Sequence, residues 1–333
     1  MKLSLAASLL LALAPAATAQ KKVDFKIATL VPEGSVWDKQ ERSFGEDVRK
    51  STNGRVGFKY YAGGIAGDEP DVLRKMKLGQ LHGGVFTLSG LGDVVPALRV
   101  MDIPLMLRSE EEAIHLLREM EPFFRDELAK KNIVVLHWGH VGWLRFFSTE
   151  AVHNVNDLRA LKQFVWAGQG NMAKWYQEAG FRPVPLAATD MLTGLKTGLI
   201  EALPAAPLAA LALQWFRSAP HMLDYPVAPM LGATVVDARR WKKLSDEDKA
   251  EVMAAAKRIE TRILKEIPEQ EKSAVMEMAK RGLNVTKIDE KDRGEWYKLA
   301  DHFADRMSKN MIPSAVLQRA KGILETYRAK KRE

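Results

Sequence analysis

Apolar residues recur along the chain at two spacings, which predict strands that alternate with helices. Residues 25–31 are apolar on both faces, as in a strand that is covered on two sides. The next stretch carries an apolar stripe at helical spacing, with Trp37 in its first turn. Strands over 55–62 and 82–88, with a helix over 68–78 between them, complete a βαβαβ order. This order favours a parallel sheet.

Residues 156–216 repeat the alternation, and the rest of the chain is organised around them. They predict a strand over 162–167, then a glycine-bearing turn and a helix over 171–179. An extended piece over 182–186 and a helix capped by Thr189 follow. Strand tips and the turns after them are where an α/β sheet presents a ligand site. We therefore expect this segment to form one apolar, aromatic wall of a cleft that holds a small molecule.

Two longer patterns predict connections between two lobes. Residues 132–149 form one extended run that is long enough to leave one lobe and enter the other, with Gly139 and Gly142 allowing a bend. From Ser245 a helical pattern continues past Pro268, and a proline inside a helix removes a backbone bond and bends the helix. One long kinked helix behind both lobes is the prediction, and two separate helices are the alternative.

The length and the composition of the chain favour two lobes over one. With 333 residues, 47% of them hydrophobic and 28% charged, the chain can bury two apolar cores and still keep a polar surface. The predicted first lobe comprises residues 20–142 and 232–267. The predicted second lobe comprises residues 143–231 and 268–333. Crossing strands, and no flexible tether, are expected to join them.

Residues 1–19 have the pattern of an export signal. Lys2 precedes an apolar run at 3–13, and Ala17 and Ala19 provide the small-x-small end of a cleavage site. We expect cleavage after Ala19 and export to the periplasm. No later stretch approaches the ~20 apolar residues that a membrane-spanning helix needs.

Several functional classes lack the residues that they need. The chain has no cysteine, which excludes disulfides, thiolate metal sites and a cysteine nucleophile. Its formal net charge is +8, but Lys and Arg lie scattered among Asp and Glu, a pattern that does not indicate nucleic-acid binding. His137 and His140 stand three apart in an extended segment and so point to opposite faces, which argues against a metal site. We expect no cofactor.

An exported enzyme is one alternative to a binding protein. Ser89 and the histidines could be used by a hydrolase. However, the sequence contains no G-x-S-x-G elbow, no H-E-x-x-H motif and no pair of carboxylates that can be placed at a strand tip. An exported ligand sensor that signals to a membrane partner is a further alternative.

Four separated segments together resemble one known family. They are VPEGSVWDKQERSF, VMDIPLML, NVNDLRALK and PVPLAATDMLTGLKTGLIEA, and they resemble the extracytoplasmic solute-binding subunit of tripartite ATP-independent periplasmic (TRAP) transporters in order and spacing. The resemblance covers about residues 25–309. It implies an α/β periplasmic binding protein with a mixed sheet in each of two lobes, a hinge of crossing strands and a long kinked helix spanning both lobes. It also implies capture of a small molecule between the lobes and delivery to membrane permease subunits, and we expect a monomer.

Three positions depart from the family pattern, and each departure removes a polar anchor. Phe164 stands where most relatives carry an arginine that grips the ligand's carboxylate through two parallel hydrogen bonds. Leu144 stands in place of a second arginine, with Arg145 one step on and therefore on the other face of the strand, and Ala205 replaces an asparagine. A carboxylate buried without a partner costs several kcal/mol. We therefore expect an aromatic or weakly polar ligand instead of the dicarboxylates and sugar acids typical of the family.

The predicted ligand contacts lie at strand tips, at the bend and at the start of a helix. They are Trp37, Phe86, Thr87, Trp143, Arg145, Phe164, Trp166, Ala205 and Pro207. For Trp37, packing on the sheet edge and facing the cleft are equal interpretations. A guanidinium group that reaches into the middle of the cavity would contradict the predicted ligand class.

Overall fold

The computed structural model describes residues 22–167 and 170–331. The predicted export signal and part of the predicted glycine-bearing turn, residues 168 and 169, lie outside the described residues. The strands are β1 Val23–Thr29, β2 Val56–Tyr61, β3 Gly83–Thr87, β4 Ile133–Trp143, β5 Arg145–Ser148, β6 Lys162–Trp166, β7 Arg182–Leu186, β8 Ala202–Ala205, β9 His221–Leu223, β10 Pro229–Asp237 and β11 Asn284–Thr286.

Helices lie between most of these strands and cover the sheets. They are α1 Val36–Ser51, α2 Glu69–Lys77, α3 Leu88–Leu91, α4 Glu110–Ala129, α5 Val155–Ala160, α6 Gly170–Glu178, α7 Met191–Lys196, α8 Pro207–Ala212, α9 Ala238–Trp241, α10 Asp246–Lys280, α11 Arg293–Asn310 and α12 Ser314–Lys330. Short 3₁₀ turns lie at Pro96–Asp102, Ala188–Asp190, Trp215–Arg217 and Glu290–Asp292.

The first lobe is built on a five-stranded sheet in the order β2-β1-β3-β10-β4. β1 runs parallel to β2 and β3, as the βαβαβ order predicts, whereas β10 runs antiparallel to β3 and β4. Helix α1 is capped by Ser35, whose Oγ accepts a hydrogen bond from the backbone N–H of Asp38. Its apolar residues Phe44 and Val48 share one buried cluster with Phe25 of β1.

The second lobe is built on a six-stranded sheet in the order β11-β9-β5-β8-β6-β7. β6 runs parallel to β7, whereas β5 runs antiparallel to β8 and β9. Both sheets are therefore mixed, and there is one in each lobe, which confirms the predicted fold class.

The predicted helix cap at Thr189 is wrong. Thr189 lies in the 3₁₀ turn Ala188–Asp190, and α7 begins after it without a side-chain cap. The side chain of Thr189 instead faces the first lobe, since a Cβ atom built on Gly64 would lie 2.8 Å from Thr189 Cγ2. Thr189 therefore contacts the opposite lobe and does not cap α7.

The extended run at 132–149 crosses between the lobes, as predicted. Its β4 part belongs to the first sheet and its β5 part to the second, with Leu144 between them. At the bend, Gly142 has a φ of +135°, and a Cβ atom there would lie 2.2 Å from Glu271 Oε1. Only glycine combines that backbone angle with that space.

One continuous helix, α10, runs through Pro268 and is 35 residues long, so the alternative of two separate helices is excluded. Ser245 caps it by accepting a hydrogen bond from the backbone N–H of Asp248 at 3.1 Å. The helix contacts β4 and α1 of the first lobe and α8 of the second. Its Glu260 and Glu271 accept hydrogen bonds from the backbone N–H groups of Trp138 and Trp143, at 3.0 and 2.9 Å. These two contacts attach the helix to the crossing strand.

The C-terminal helix α12 packs against α4 and the 3₁₀ turn Pro96–Asp102. Arg328 of this helix donates hydrogen bonds to both carboxylate oxygens of Glu112. These contacts place the end of the described chain against the first lobe, whereas the predicted boundaries assign residues 268–333 to the second.

Candidate ligand-binding site

A cavity of about 540 Å³ lies where the two lobes meet, a volume in the usual range for small-molecule sites. The first lobe contributes Phe86 and Thr87 at the end of β3, and the second contributes residues from β6 and β8. The exposed surface of its wall is mostly apolar. Such a wall favours ligands that bind by removing apolar surface from water.

Six of the nine predicted contact residues line this cavity. They are Trp37, Phe86, Thr87, Phe164, Trp166 and Ala205. Trp37 does so while its indole Nε1 donates to the backbone carbonyl of His140 at 3.1 Å. Whether each of the six touches a ligand stays a prediction.

The other three predicted residues lie outside the cavity wall and have partners elsewhere. Trp143 donates from Nε1 to Glu110 Oε2 at 2.9 Å. Arg145 donates from Nε to Asp224 Oδ1 at 3.1 Å. Pro207 is buried in the first turn of α8.

The three positions at which the sequence departs from the family pattern all line the cavity. Phe164 is 5% exposed, and its ring lies 6.4 Å from that of Trp166, centroid to centroid. Phe164 and Trp166 are two positions apart on β6, so their side chains project from the same face of the strand. Leu144 and Ala205 contribute further apolar surface. At these three positions the wall of the cavity is therefore apolar.

Sequence reasoning missed two buried acids that line the cavity. Glu69 accepts hydrogen bonds from the backbone N–H and the hydroxyl of Thr87, at 2.6 and 2.8 Å. Burial nevertheless raises the pKa of Glu69 to about 8. Burial likewise raises the pKa of Asp102 to about 7, against the lowering effect of Arg99. Near neutral pH these groups therefore present less negative charge than their number implies.

Arg99 also lines the cavity and was not singled out by the sequence. It is buried, and its guanidinium donates to Asp93. Asp102 lies close enough for the guanidinium to lower its pKa, although burial outweighs this effect. The guanidinium of Arg99 therefore already has an acidic partner in Asp93.

A second polar group in the wall consists of Glu41, His137 and Thr234, here called the Glu41 cluster. Thr234 Oγ1 donates to Glu41 Oε1 at 2.7 Å, and His137 Nε2 lies 3.3 Å from the same oxygen. Burial lowers the pKa of His137, but the Glu41 carboxylate and the Trp138 carbonyl outweigh it, so the net pKa is raised. Thr234 follows Glu41 by 193 positions in the sequence, which is why no local pattern revealed this contact.

The two neighbouring histidines point to opposite faces of β4. His137 contacts Glu41 of α1, whereas His140 Nε2 lies 2.9 Å from Glu110 Oε1 of α4. Within residues 22–167 and 170–331, no group of three or more His, Asp or Glu side chains is arranged to hold a metal ion.

The carboxylate of Asp68, at the N-terminus of α2, joins the two lobes. Asp68 Oδ1 accepts from the backbone N–H of Glu69 and so caps this first-lobe helix. Its Oδ2 accepts from Trp166 Nε1 and from the backbone N–H of Ala188, both in the second lobe and both at 2.8 Å. These bonds stabilise the closed arrangement of the lobes.

Two mixed α/β sheets that enclose a cavity at their junction define the class of two-lobed solute-binding proteins. Residues 27–310 match the family described as bacterial extracellular solute-binding protein, family 7 (DctP), and the chain belongs to this family. It is a receptor of the TRAP transporter type and not an enzyme. In the described part of the chain, no helix has the length and apolar character needed to cross a membrane.

Relatives of known name agree with this assignment. A solute-binding protein of Chromohalobacter salexigens is 26% identical over 260 residues, which is 75% of this chain and 74% of that protein. The sialic acid-binding periplasmic protein SiaP of Vibrio cholerae is 22% identical over 294 residues, covering 84% and 88%.

Solved structures share the fold. A TRAP periplasmic solute-binding protein of C. salexigens with bound d-glucuronate has a TM-score of 0.82 and 21% identity, covering 90% of this chain and 99% of that one. DctP7, a Bordetella pertussis extracytoplasmic solute receptor binding pyroglutamic acid, has a TM-score of 0.83 and 17% identity, covering 91% and 99%.

Proposed function

We propose that this receptor captures a small aromatic or weakly polar solute between its lobes and delivers it to the membrane subunits of a TRAP transporter. The observation that carries the ligand class is the apolar identity of Phe164, Leu144 and Ala205, all of which line the cavity. Burial of a ring against them contributes roughly 25 cal/mol per Å² of apolar surface removed from water. A carboxylate at the same place would lose its hydration without gaining a partner.

A sugar acid is the second candidate ligand. The C. salexigens neighbour binds d-glucuronate, and Arg99 is a guanidinium in the wall of the cavity. Against this candidate, Arg99 already donates to Asp93 and lies in the field of Asp102. A ligand carboxylate at Arg99 would have to compete with both acids, so the apolar ligand is the better-supported candidate.

Export and assembly complete the proposal. The N-terminal pattern at 1–19 supports export with cleavage after Ala19, and the family supports a periplasmic location. We propose a monomeric receptor that meets its permease only when the lobes are closed. Intact-mass measurement of the exported protein tests the cleavage site, and light scattering after size-exclusion chromatography tests the monomer.

The ligand class is tested by identifying what the receptor carries. The protein is purified from the periplasm, denatured, and the released small molecules are identified by mass spectrometry. We expect the released compound to be neutral or basic, with an aromatic or apolar body. It should rebind to the protein stoichiometrically and without turnover. Release of a uronate or a dicarboxylate would contradict the ligand class and leave the receptor role intact.

A further inference from the structure

Helix α1 presents an aromatic ring and a carboxylate side by side to the cavity. Trp37 and Glu41 lie four residues apart, and residues at that spacing are neighbours on one helical face. Both line the cavity. A carboxylate next to an indole is the pair that a cationic group needs, because one supplies opposite charge and the other an electron-rich face.

The carboxylate of Glu41 has one oxygen to spare. Oε1 is occupied by Thr234 and faces His137, whereas Oε2 is buried and makes no hydrogen bond within the described residues. However, the buried hydroxyl of Tyr60, whose pKa burial raises, lies close enough to Glu41 for the carboxylate to raise that pKa further. Glu41 itself is 3% exposed. A buried acceptor without a donor is costly, so a ligand that supplies a donor here gains more than it would from water.

Carboxyl groups are the main hydrogen-bond acceptors among the ionisable side chains of the wall, although burial keeps Glu69 largely protonated near neutral pH. The charged side chains among the described residues of the wall are Glu41, Glu69, Asp102 and Arg99. Among the bases of the wall, the guanidinium of Arg99 is paired with Asp93, and His137 and His140 each face a carboxylate, Glu41 and Glu110. The remaining acceptor capacity is carboxylate, which an ammonium group satisfies with its three donors.

We infer that the ligand carries a protonated amine, which binds Glu41 Oε2 beside the ring of Trp37 while its apolar body lies against Phe164 and Trp166. This inference rests on the proposed function and names the polar group of the solute. It distinguishes the receptor from its neighbours with bound sugar acids by the sign of the recognised charge.

Three probes of matched shape test the sign of that charge on the wild-type protein. They are 2-phenylethylamine, 2-phenylethanol and 3-phenylpropanoate, whose binding is measured by isothermal titration calorimetry. We expect the amine to bind at least about tenfold more tightly than the other two, the equivalent of about 1.4 kcal/mol. Equal or weaker binding of the amine, or no binding of the amine at millimolar concentration, overturns the inference.

The variant Glu41→Gln tests the residue. Its amide oxygen can still accept from Thr234, but its NH₂ replaces the free acceptor, so amine affinity is expected to fall by at least about tenfold while affinity for the alcohol stays within about twofold. Glu46→Gln, at a partly exposed position on the same helix, serves as the control and is expected to leave both affinities unchanged. An equal loss for amine and alcohol in Glu41→Gln overturns the assignment to Glu41.

The released native ligand separates this inference from the proposed function. Release of a neutral aromatic compound would support the proposed ligand class but overturn the inference that the ligand carries an amine. A uronate would overturn both. An amine with an apolar body supports both.

Discussion

Phe164 is the side chain on which the proposed ligand class most depends. It occupies the strand position at which the family pattern implies a guanidinium, and it is nearly fully buried beside Trp166 in the cavity wall. An aromatic ring there offers dispersion and apolar burial but no hydrogen bond to a carboxylate.

Replacing Phe164 by arginine is expected to lower affinity for the native ligand by at least about tenfold, because a guanidinium without a partner enters an apolar wall. Titration calorimetry with the released native ligand measures the change. Phe164→Leu, which keeps the wall apolar, is the matched control and is expected to lose less. Unchanged affinity in Phe164→Arg would show that residue 164 does not face the ligand.

The individual residues of the site were predictable in part. The apolar positions 144, 164 and 205 could be found because a family pattern marks them. Asp68 and Glu41 could not, since their roles depend on partners far away in the sequence, Trp166 and Thr234. Arg99, whose partner Asp93 is only six positions away, belongs to no motif that marks a site. Trp143 and Arg145 lie at the predicted bend, but the carboxylates of Glu110 and Asp224 hold them away from the cavity.

Among the elements, α10 is attached to the crossing strand β4 by buried carboxylates. Glu260 accepts from the backbone N–H of Trp138, a residue that is almost fully buried. A strand N–H that bonds to a helix side chain in this way depends on that single acceptor. The long helix and the hinge strand therefore behave as one unit.

Glu260→Ala is expected to lower the free energy of unfolding by about 1–3 kcal/mol, because the Trp138 N–H loses its partner in a buried place. Chemical denaturation measures the change. Glu277→Ala, at a partly exposed position on the same helix, should change stability by no more than about 0.5 kcal/mol. A Glu260 variant as stable as the control would mean that water or another group replaces the carboxylate.

At the scale of elements, the start of a helix could be predicted from the sequence where a side chain next to it caps the helix. Ser35, Ser109 and Ser245 each stand directly before a helical pattern, and each accepts a backbone hydrogen bond at the start of its helix. The position of Thr189 could not be predicted from the sequence, because its side chain is directed to Gly64 of the other lobe. The antiparallel direction of β10 in the first sheet could not be predicted either, since strand direction is set by the crossing between lobes and not by apolar spacing.

At the scale of the whole molecule, the two lobes close on the cavity and Asp68 joins them. Its Oδ2 takes donors from Trp166 and Ala188 of the opposite lobe, so opening breaks two hydrogen bonds at once. A ligand that touches both lobes shifts the population toward the closed form by its differential affinity for that form.

Asp68→Asn is expected to weaken closure, since one amide oxygen cannot serve both donors of the second lobe as well as the N–H of Glu69. Saturating native ligand should raise Tm and reduce the radius of gyration of the wild type together, and affinity should fall by about tenfold in the variant. Differential scanning calorimetry and small-angle X-ray scattering measure these changes. Asp71→Asn, at a partly exposed position on the same helix, is the control. Scattering that is identical with and without ligand would contradict closure.

The indole of Trp166 is at once part of the cavity wall and the donor to Asp68 across the lobe boundary. Its excited state senses both the hydrogen bond and the local polarity, so opening shifts its emission to longer wavelength. The receptor thus contains its own optical reporter, and solute capture can be followed in real time by stopped-flow fluorescence without any attached dye.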